Sequence, residues 1–470
     1  MEFKLNDLKV TKAWAMYDWA NSVFSLTIAA AIFPPYFESV SKTASLAQGN
    51  YTHGVYFLNF FGFKIVNTAL YSYALSLSFL LVALINPILS GIADVKGNKK
   101  AFMKFFCYLG SSACVLMYFF ESNTIYLGIG LFVVSLLGFA GSIVFYNAFL
   151  PEIASEDQFD KLSARGFSMG YFGSVILLLA NLYLIMNPEV FFNFRSKAAE
   201  LMIANKTLLE ADALIQTKQY YTSLASRISF VSVGLWWAGF AQITFRNVPE
   251  KKRVGNHFEG NILVKGFNEL KNVYLVINKP ENHIIKRYLA GFFFTSMGVQ
   301  TVMYVASLFG SQELHMPTGK LIVTILIIQI IAILGAWSFS RISGLIGNIY
   351  TLVIMLFIWI GIATAAYFVK THNEFYILAA IVGIVMGGIQ SMCRSTFAKL
   401  IPKGAKDNAS YFSFYDVTEK IAIVLGTFVY GFLIHITENM RTSVLVLIVF
   451  FVFALYFILR IKNFKEVYRS

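Results

Sequence analysis

The sequence is poor in charge and in cysteine. Charged residues make up 13% of the 470 residues, whereas 57% are hydrophobic and 17% aromatic. Soluble globular chains carry about a quarter charged residues, so this composition excludes a soluble domain and predicts a polytopic membrane protein. The three cysteines all fall in predicted spans, which indicates neither a disulfide framework nor a thiolate metal site.

Signatures of several other functions are also missing. The six histidines are scattered without ligand spacing, so no metal site is expected. No GxxxxGK[ST] run occurs, which argues against ATP as the direct energy source. The opening MEFKLNDLKVTK has no apolar core or cleavage site of a removable signal, so we expect the first span to be retained. No cofactor is expected.

Apolar stretches of about 20 residues mark membrane-spanning helices. Twelve such stretches are predicted, at about 14–37, 68–92, 101–120, 124–147, 163–186, 224–245, 288–310, 319–340, 348–369, 375–397, 411–435 and 441–460. The predicted fold class is therefore an all-α membrane protein of twelve transmembrane helices in two six-helix halves. An even number of spans places both termini on one side of the membrane.

The distribution of basic residues predicts which side that is. With the termini in the cytoplasm, inner segments hold 27 of the 38 Lys and Arg residues and outer loops hold 10. Basic residues concentrate in cytoplasmic loops, so the sequence predicts cytoplasmic termini. The same bias explains the net charge of +13 as a topology signal and as contact with anionic lipid, without a nucleic-acid partner.

Two long connections interrupt the series of short loops. A basic inner connection divides the chain into an amino-terminal half (1–246), a linker (247–287) and a carboxy-terminal half (288–470). Apolar residues recur at helical spacing from Leu263 to Ile277, which predicts an amphipathic helix on the membrane surface. The outer connection 187–223 is polar and rich in helix-forming residues; it could shade an external gate or simply connect two spans.

An ionisable residue lies inside the first span, WAMYDWANSVFSLTIAAAIFPPYF. An α-helix places Asp18, Asn21, Ser22, Ser25 and Ala29 on one face. Polar groups in hydrocarbon are costly, so this face should meet protein or a water-filled cavity, and an intramembrane carboxylate is a candidate functional site. We expect Asp18 to carry protons or to contact a solute. The alternative is that Asp18 anchors the span near the headgroups.

Charge is also dense in the short loop after the second span. Gly97 allows a tight turn, and Asp94 can meet the positive end of a neighbouring helix or a basic side chain. We therefore predict a cytoplasmic gate formed by Asp94, Gly97, Lys99 and Lys100, which opens when the halves move. Alternatively, the lysines only anchor the loop on the inner side.

Further polar residues fall within later spans. We expect a substrate or proton pathway to include Asp18, Asn21, Ser22, Tyr146, Asn147, Gln300, Arg394, Asp416 and Lys420. Asp416 and Lys420 are spaced to pair along one helix face, whereas Glu419 lies off that face and is assigned to the inner rim. The alternative role of all these groups is to hold helices together by hydrogen bonds.

Several segments together resemble the major facilitator superfamily. They are YDWANS in the first span, the loop after the second, FYNAFLPEIA after the fourth, GVQT in the seventh and RSTFAKLIP before the eleventh. The chain is most similar to the vacuole-effluxer, autophagy-related branch and its bacterial members. The resemblance implies twelve helices and secondary transport, and fungal members are associated with amino-acid export from the vacuole. Relatives often carry an acid where this chain has Met297.

These observations predict a secondary active transporter, not an enzyme. Two halves would rock around a central cavity and move a small polar solute, with amino-acid-like efflux favoured and coupling to protons expected. The expected surroundings are a lipid bilayer, with a bacterial inner membrane favoured, and the expected state is a monomer. The alternatives are a membrane-embedded enzyme acting on lipid-linked substrates and a sensor that does not transport.

Overall fold

A computed structural model describes residues 4–52, 55–204, 207–249, 262–316, 318–402, 408–437 and 440–461. The helices before the linker are α1 (Leu8–Val23), α2 (Phe33–Ala47), α3 (Asn67–Lys96), α4 (Lys99–Leu116), α5 (Ile125–Ala148), α6 (Leu150–Ile153), α7 (Phe159–Met186), α8 (Pro188–Phe191), α9 (Phe194–Ala204) and α10 (Glu210–Asn247). The later helices are α11 (Ile262–Asn278), α12 (His283–Gln312), α13 (Thr318–Ile346), α14 (Asn348–Phe368), α15 (His372–Leu400), α16 (Asn408–Thr437), α17 (Met440–Val444) and α18 (Val446–Leu459).

Long apolar helices account for most of the described residues. Nine of the helical segments described are long and apolar enough to cross a membrane, and they coincide with the first six predicted spans and with the eighth, ninth and tenth. The other predicted spans correspond in position to α12, to α16, and to α17 with α18. The helical membrane fold is confirmed, and the count of twelve spans stays a prediction.

The first span is not a uniform α-helix. A π-helical segment, Phe24–Ile32, joins α1 to α2, so that a single rod runs over 40 residues from Leu8 to Ala47. The expectation of α-helical spacing through this span is therefore wrong after Val23, because a π-helix makes i to i+5 hydrogen bonds and turns its side chains by a different angle. Ser25 and Ala29 do not continue the face of Asp18 as predicted.

The helices pack by one scheme used twice. Before the linker, α1 packs on α7 and α10, while α4 packs on α5 and α10; after the linker, α12 packs on α16 and α18, while α14 packs on α15 and α18. The two groups of helices meet along two seams. In the first seam, α7 packs against α13 and α15. In the second, α16 packs against α3 and α5. This repetition, faint in the sequence, is plain in the packing. The exact boundaries of the halves stay a prediction.

Small residues allow close packing inside each half. A Cβ on Gly138 of α5 would lie 2.4 Å from the Cα of Gly110 on α4, and a Cβ on Gly387 of α15 would lie 2.0 Å from the carbonyl oxygen of Ala332 on α13. Membrane helices use such residues because lipid supplies no hydrophobic drive for helix association. Aromatic rings fill the remaining core, as where Phe33 stacks on Phe132 with centroids 4.1 Å apart.

Two connections contain helices or strands that were not among the predicted spans. Between α2 and α3 lies an antiparallel sheet of three short strands, β1 (Tyr51–Thr52), β2 (Val55–Phe60) and β3 (Phe63–Val66). The connection at 187–223 contains α8, α9 and the first turns of α10, so most of it is helical.

The segment predicted as the linker contains a helix, α11, which packs mainly against α3 and also touches α16. Val273 and Ile277 are buried, whereas Phe267 and Tyr274 are exposed. The apolar residues are therefore divided between a protein-facing side and an open side. Residues 250–261 lie outside the described part of the chain, and a position of α11 on the membrane surface stays a prediction.

Both ends of the described chain lie on one face of the bundle. The backbone N–H of Asn6 donates to the carbonyl of Ile153, beside the start of α7. The guanidinium of Arg287, at the start of α12, donates to the carbonyl of Arg460 at 3.0 Å. We call this end of the bundle the terminus face, and the polar contacts described next lie towards it.

Candidate functional site

The carboxylate of Asp18 forms an ion pair that joins the two halves. Its Oδ2 accepts a hydrogen bond from the hydroxyl of Tyr146 at 2.8 Å and one from Nη1 of Arg394 at 3.1 Å. Asp18 comes from α1 and Arg394 from α15, and both residues are buried, with exposures of 7% and 3%. Two residues that the sequence analysis placed in different halves are thus in direct contact.

The guanidinium of Arg394 is held on all sides. Its Nε donates to Oγ of Ser163 at 2.9 Å, its Nη2 donates to the Ser163 carbonyl at 2.8 Å, and its Nη1 also reaches Oδ1 of Asn147 at 3.4 Å. The ring of Phe167 lies 4.2 Å from the guanidinium carbon. Arginine suits this place because its planar fork satisfies several acceptors at once and stacks on aromatic faces. We name Asp18, Tyr146, Asn147, Ser163 and Arg394 the Asp18 cluster.

A glycine makes room for this pair. A Cβ on Gly166 of α7 would lie 2.3 Å from Oδ2 of Asp18, 2.8 Å from Nη2 of Arg394 and 3.1 Å from the Tyr146 hydroxyl. One turn later, a Cβ on Gly170 would lie 2.5 Å from Oγ of Ser22. The spacing of these two glycines on α7 therefore lets α1 approach closely along the face that carries Asp18 and Ser22.

The other predicted residues of the first span lie beside this cluster. Asn21 is buried, with its side-chain nitrogen lacking a hydrogen-bond partner among the described residues. Its Oδ1 accepts from Ser22 at 3.5 Å. Ser25 is exposed, and its hydroxyl donates to the carbonyl of Ser22. The polar side of the span thus continues past Asp18 but is displaced by the π-helical segment.

A second polar cluster lies between α3, α12 and α16. Nζ of Lys420 is 2.8 Å from a carboxylate oxygen of Glu419 and 3.3 Å from one of Asp416. The side-chain amide of Asn86 donates to Asp416 at 3.2 Å, and that of Gln300 donates to Glu419 at 3.2 Å. We name these five residues the Glu419 cluster. The assignment of Glu419 to an inner rim is wrong, because it faces Gln300 within the bundle.

Asp94 forms a third contact between the halves. Its carboxylate accepts from the backbone N–H groups of Ser410 at 2.7 Å and Ala409 at 3.3 Å, at the start of α16. Lys99 bridges Asp94 at 3.1 Å and Glu152, which also accepts from Asn408. A carboxylate at a helix amino terminus satisfies free N–H groups and meets the positive end of the helix dipole.

The loop around Asp94 places the predicted gate residues as follows. Gly97 ends α3 in the left-handed conformation, with φ of +66°, as a tight turn requires. Lys99 belongs to the contact with Asp94, whereas Nζ of Lys100 reaches the carbonyl of Phe245 on α10, within the same half. Asp94, Gly97 and Lys99 therefore lie at the seam, and the described contact of Lys100 lies away from it.

A fourth contact, built around Asp160, was missed by the sequence analysis. The carboxylate of Asp160, at the start of α7, accepts from Lys399 at 2.7 Å, from Asn348 at 2.8 Å and from Ser343 at 3.0 Å. Nζ of Lys399 also donates to Oδ1 of Asn348 at 2.8 Å. This Asp160 cluster closes the seam between α7 and α13, opposite the seam that Asp94 closes.

Comparison with known proteins agrees with this architecture. The profile of the family described as "Vacuole effluxer Atg22 like" matches residues 6–466. The uncharacterized MFS-type transporter YxiO of Bacillus subtilis is 28% identical over 448 residues, covering 94% of this chain and 92% of YxiO. Autophagy-related protein 22 of Eremothecium gossypii is 25% identical, with 93% of this chain and 88% of that protein covered.

Solved structures support the same fold. The human organic anion transporter MFSD10 superposes with a TM-score of 0.69 at 10% identity, covering 97% of this chain and the whole of that one. The helical bundle is therefore the fold of the major facilitator superfamily, and YxiO and MFSD10 are both described as transporters, which agrees with a transporter and not with an enzyme. This chain belongs to the Atg22-like vacuole effluxer family and is a secondary transporter of the MFS type, integral to the membrane.

Proposed function

We propose that this transporter moves a small polar, amino-acid-like solute by alternating access between its two halves, with efflux favoured and with coupling to protons. The observation that carries the proposal is the ion pair between Asp18 and Arg394, which is buried and joins α1 to α15. Burying two charges takes several kcal/mol of desolvation per ion. A contact of this kind at the boundary of two moving bodies is typical of a switch.

The switch would operate when Asp18 and Arg394 give up their contact with each other and bind water or the solute instead. In the structure, the clusters of Asp18, Asp94 and Asp160 connect the two halves towards the terminus face. We infer that the described conformation is closed on that face. Opening the face would separate α16 from Asp94 and α13 from Asp160, and would expose Asp18 and Arg394 to water or to the solute.

The solute would meet the polar residues between these contacts. Asn21, Ser22 and Gln300 supply neutral hydrogen-bonding groups, and Asp18, Arg394, Asp416 and Lys420 supply charge. Tyr146 and Asn147 hold Asp18 and Arg394 in position through hydrogen bonds. A site with both signs of charge and several amides suits a solute that carries an ammonium and a carboxylate group, as amino acids do.

The membrane arrangement is part of the proposal. The excess of Lys and Arg in the connections of the terminus face supports a cytoplasmic location of this face. We propose a bacterial inner membrane as the location and a monomer as the working unit, surrounded by lipid.

Substitution of Asp18 tests the switch. The solute is first sought by thermal-shift screening of the purified protein against amino acids, peptides and sugars, since a bound ligand raises the apparent stability. Asp18→Asn should then abolish concentrative transport of that solute into proteoliposomes while leaving expression intact. The control is Glu38→Gln, because Glu38 is an exposed carboxylate paired with Lys42 on the surface. Full concentrative transport by Asp18→Asn would overturn the proposed role of the ion pair.

A further inference from the structure

The Asp18 cluster and the Glu419 cluster differ in their charge balance. In the Asp18 cluster the single carboxylate faces the single guanidinium of Arg394. In the Glu419 cluster the described contacts pair one ammonium, that of Lys420, with two carboxylates, those of Asp416 and Glu419. The Asp18 cluster is therefore neutral when ionised, whereas the Glu419 cluster carries one negative charge in excess.

The described neighbours of Glu419 do not remove this excess. The group from α12 is the amide of Gln300, and the group from α3 is the amide of Asn86, both of them neutral. Tyr415 of the same helix and Cys393 of α15 also lie near Glu419, and both side chains are neutral acids at ordinary pH. An unbalanced carboxylate in this setting is costly unless a cation joins it.

The two carboxylates are not equivalent. The side chain of Asp416 is 6% exposed and accepts from Asn86, whereas that of Glu419 is 24% exposed. Glu419 is thus the group with an open side. In addition, Oγ of Ser413, fully buried and one turn before Asp416 on its face, has no hydrogen-bond partner among the described residues. Helical spacing therefore puts a buried hydroxyl without a described partner on the side of α16 that carries Asp416, while Glu419 supplies the open carboxylate.

We propose that the Glu419 cluster is a binding site for one positive charge, with Glu419 as its open ligand. The charge is either a proton or the ammonium group of the solute. A multivalent metal ion does not fit, because the described residues contain no group of three His, Cys, Asp or Glu side chains suited to one. This inference rests on the proposed function and moves the cation site from Asp18, already balanced by Arg394, to Glu419.

Proton binding at Glu419 can be tested before the solute is identified. Infrared difference spectra of the reconstituted protein, recorded between acid and alkaline pH, report protonated carboxyl groups by their C=O band. Glu419→Gln should lose the band of one buried carboxyl group, and Asp18→Asn should keep it. Lys420→Gln provides a second variant should Glu419→Gln fail to fold. With two carboxylates and no ammonium, it should gain the signal of one further carboxyl group.

The ammonium is tested by thermal unfolding with propylamine hydrochloride as the probe and choline chloride at equal concentration as the salt control. If the site takes an ammonium group, propylamine raises the unfolding temperature of the wild type above the choline value, and Glu419→Gln removes the difference. Loss of either the carboxyl band or the amine effect in Glu419→Gln supports the proposal and identifies the cation.

The proposal is overturned if Glu419→Gln retains both the band and any amine effect, or if Lys420→Gln leaves the spectrum unchanged. The failure of the transport mechanism would be seen separately. In that case, Asp18→Asn would transport normally whatever the infrared result at Glu419.

Discussion

The proposed switch depends on the absence of a side chain at one position beside the ion pair. Gly166 of α7 faces the ion pair, and a Cβ there would lie 2.3 Å from Oδ2 of Asp18 and 2.8 Å from Nη2 of Arg394. Real contacts of a Cβ are longer than 3 Å, so Gly166→Ala must displace one of these groups. Neither can move freely, because the hydroxyl of Tyr146 and the carbonyl of Ser163 hold them.

The size of the effect follows from two opposing contributions. Replacing glycine by alanine inside a helix gains roughly 0.5–1 kcal/mol, while forcing an extra carbon into a filled site costs about 1–3 kcal/mol. Since the pair exists between halves, this cost falls mainly on the closed conformation. The gain in helix propensity applies to both conformations and cancels in their ratio, so the packing cost of about 1–3 kcal/mol would shift the ratio of open to closed molecules by roughly 5-fold to 140-fold, as each 1.4 kcal/mol is tenfold.

The assay combines unfolding with a distance measurement. Spin labels on introduced cysteines at the terminus face, one in each half, report the open and closed populations. The native Cys107, Cys114 and Cys393 are buried and should not react. Gly166→Ala should unfold at a lower temperature and populate longer distances.

The matched controls are Gly130→Ala in α5 and Gly361→Ala in α14, where an added Cβ meets no atom within 4 Å. They should keep the wild-type distances and lose no stability. If Gly166→Ala behaves as these controls do, then Asp18 and Arg394 do not pair against the Gly166 face of α7 in the closed conformation, and the proposed switch is refuted.

The remaining predictions concern the two seams. Asp94→Ala should lose transport and favour the open terminus face, because it removes the acceptor for the first N–H groups of α16, whereas a sensor with a fixed bundle would tolerate the change. Asp160→Ala should act in the same direction, and the double variant should show the sum of the two free-energy shifts within about 0.5 kcal/mol, as separate sites do. A shift in the double variant no larger than in either single one would show that the seams open as a single contact. Lys399→Met should lower the free energy of unfolding by about 3–5 kcal/mol, since it leaves Asp160 buried without its amine. Lys42→Met, at an exposed pair, should change it by less than about 1 kcal/mol in the same denaturation experiment.

The sequence predicted the membrane-spanning helices well because their signal is local. A run of apolar residues long enough to cross a bilayer leaves little choice of structure, since every backbone group must be satisfied within the segment. The turn at Gly97 and the role of Asp94 at a span end could be predicted for the same reason, as both depend on a short stretch of chain.

Contacts between distant segments could not be predicted in this way. Asp18 and Arg394 were each singled out as polar groups within spans, yet nothing in either segment identifies the other as its partner. Asp160 was missed altogether, because it lies at the polar start of a span, where an acid is ordinary; its significance comes from Lys399 and Asn348 in the other half.

Some missed features did leave a local signal. The strands β2 and β3 are rich in aromatic and β-branched residues and flank Phe61 and Gly62, whose φ angles of +49° and +85° form the tight turn of a hairpin. The π-helical segment left none that we recognise, and it is the feature that misplaced Ser25 and Ala29 in the helical projection.

At the terminus face, the ionic contacts between the halves all place the negative group in the first half and the positive group in the second. The half before the linker supplies the anions Asp18, Asp94 and Asp160, and the half after it supplies the cations Arg394 and Lys399 and the positive end of α16. Every one of these contacts favours closure, so any event that neutralises an acid of the first half favours opening.

The Glu419 cluster departs from this arrangement, because its carboxylates belong to the second half and meet only amides from α3 and α12. Charge bound at Glu419 would act first on its contact with Gln300 inside the second half, and would reach the seam between α3 and α16 only through Lys420, Asp416 and Asn86.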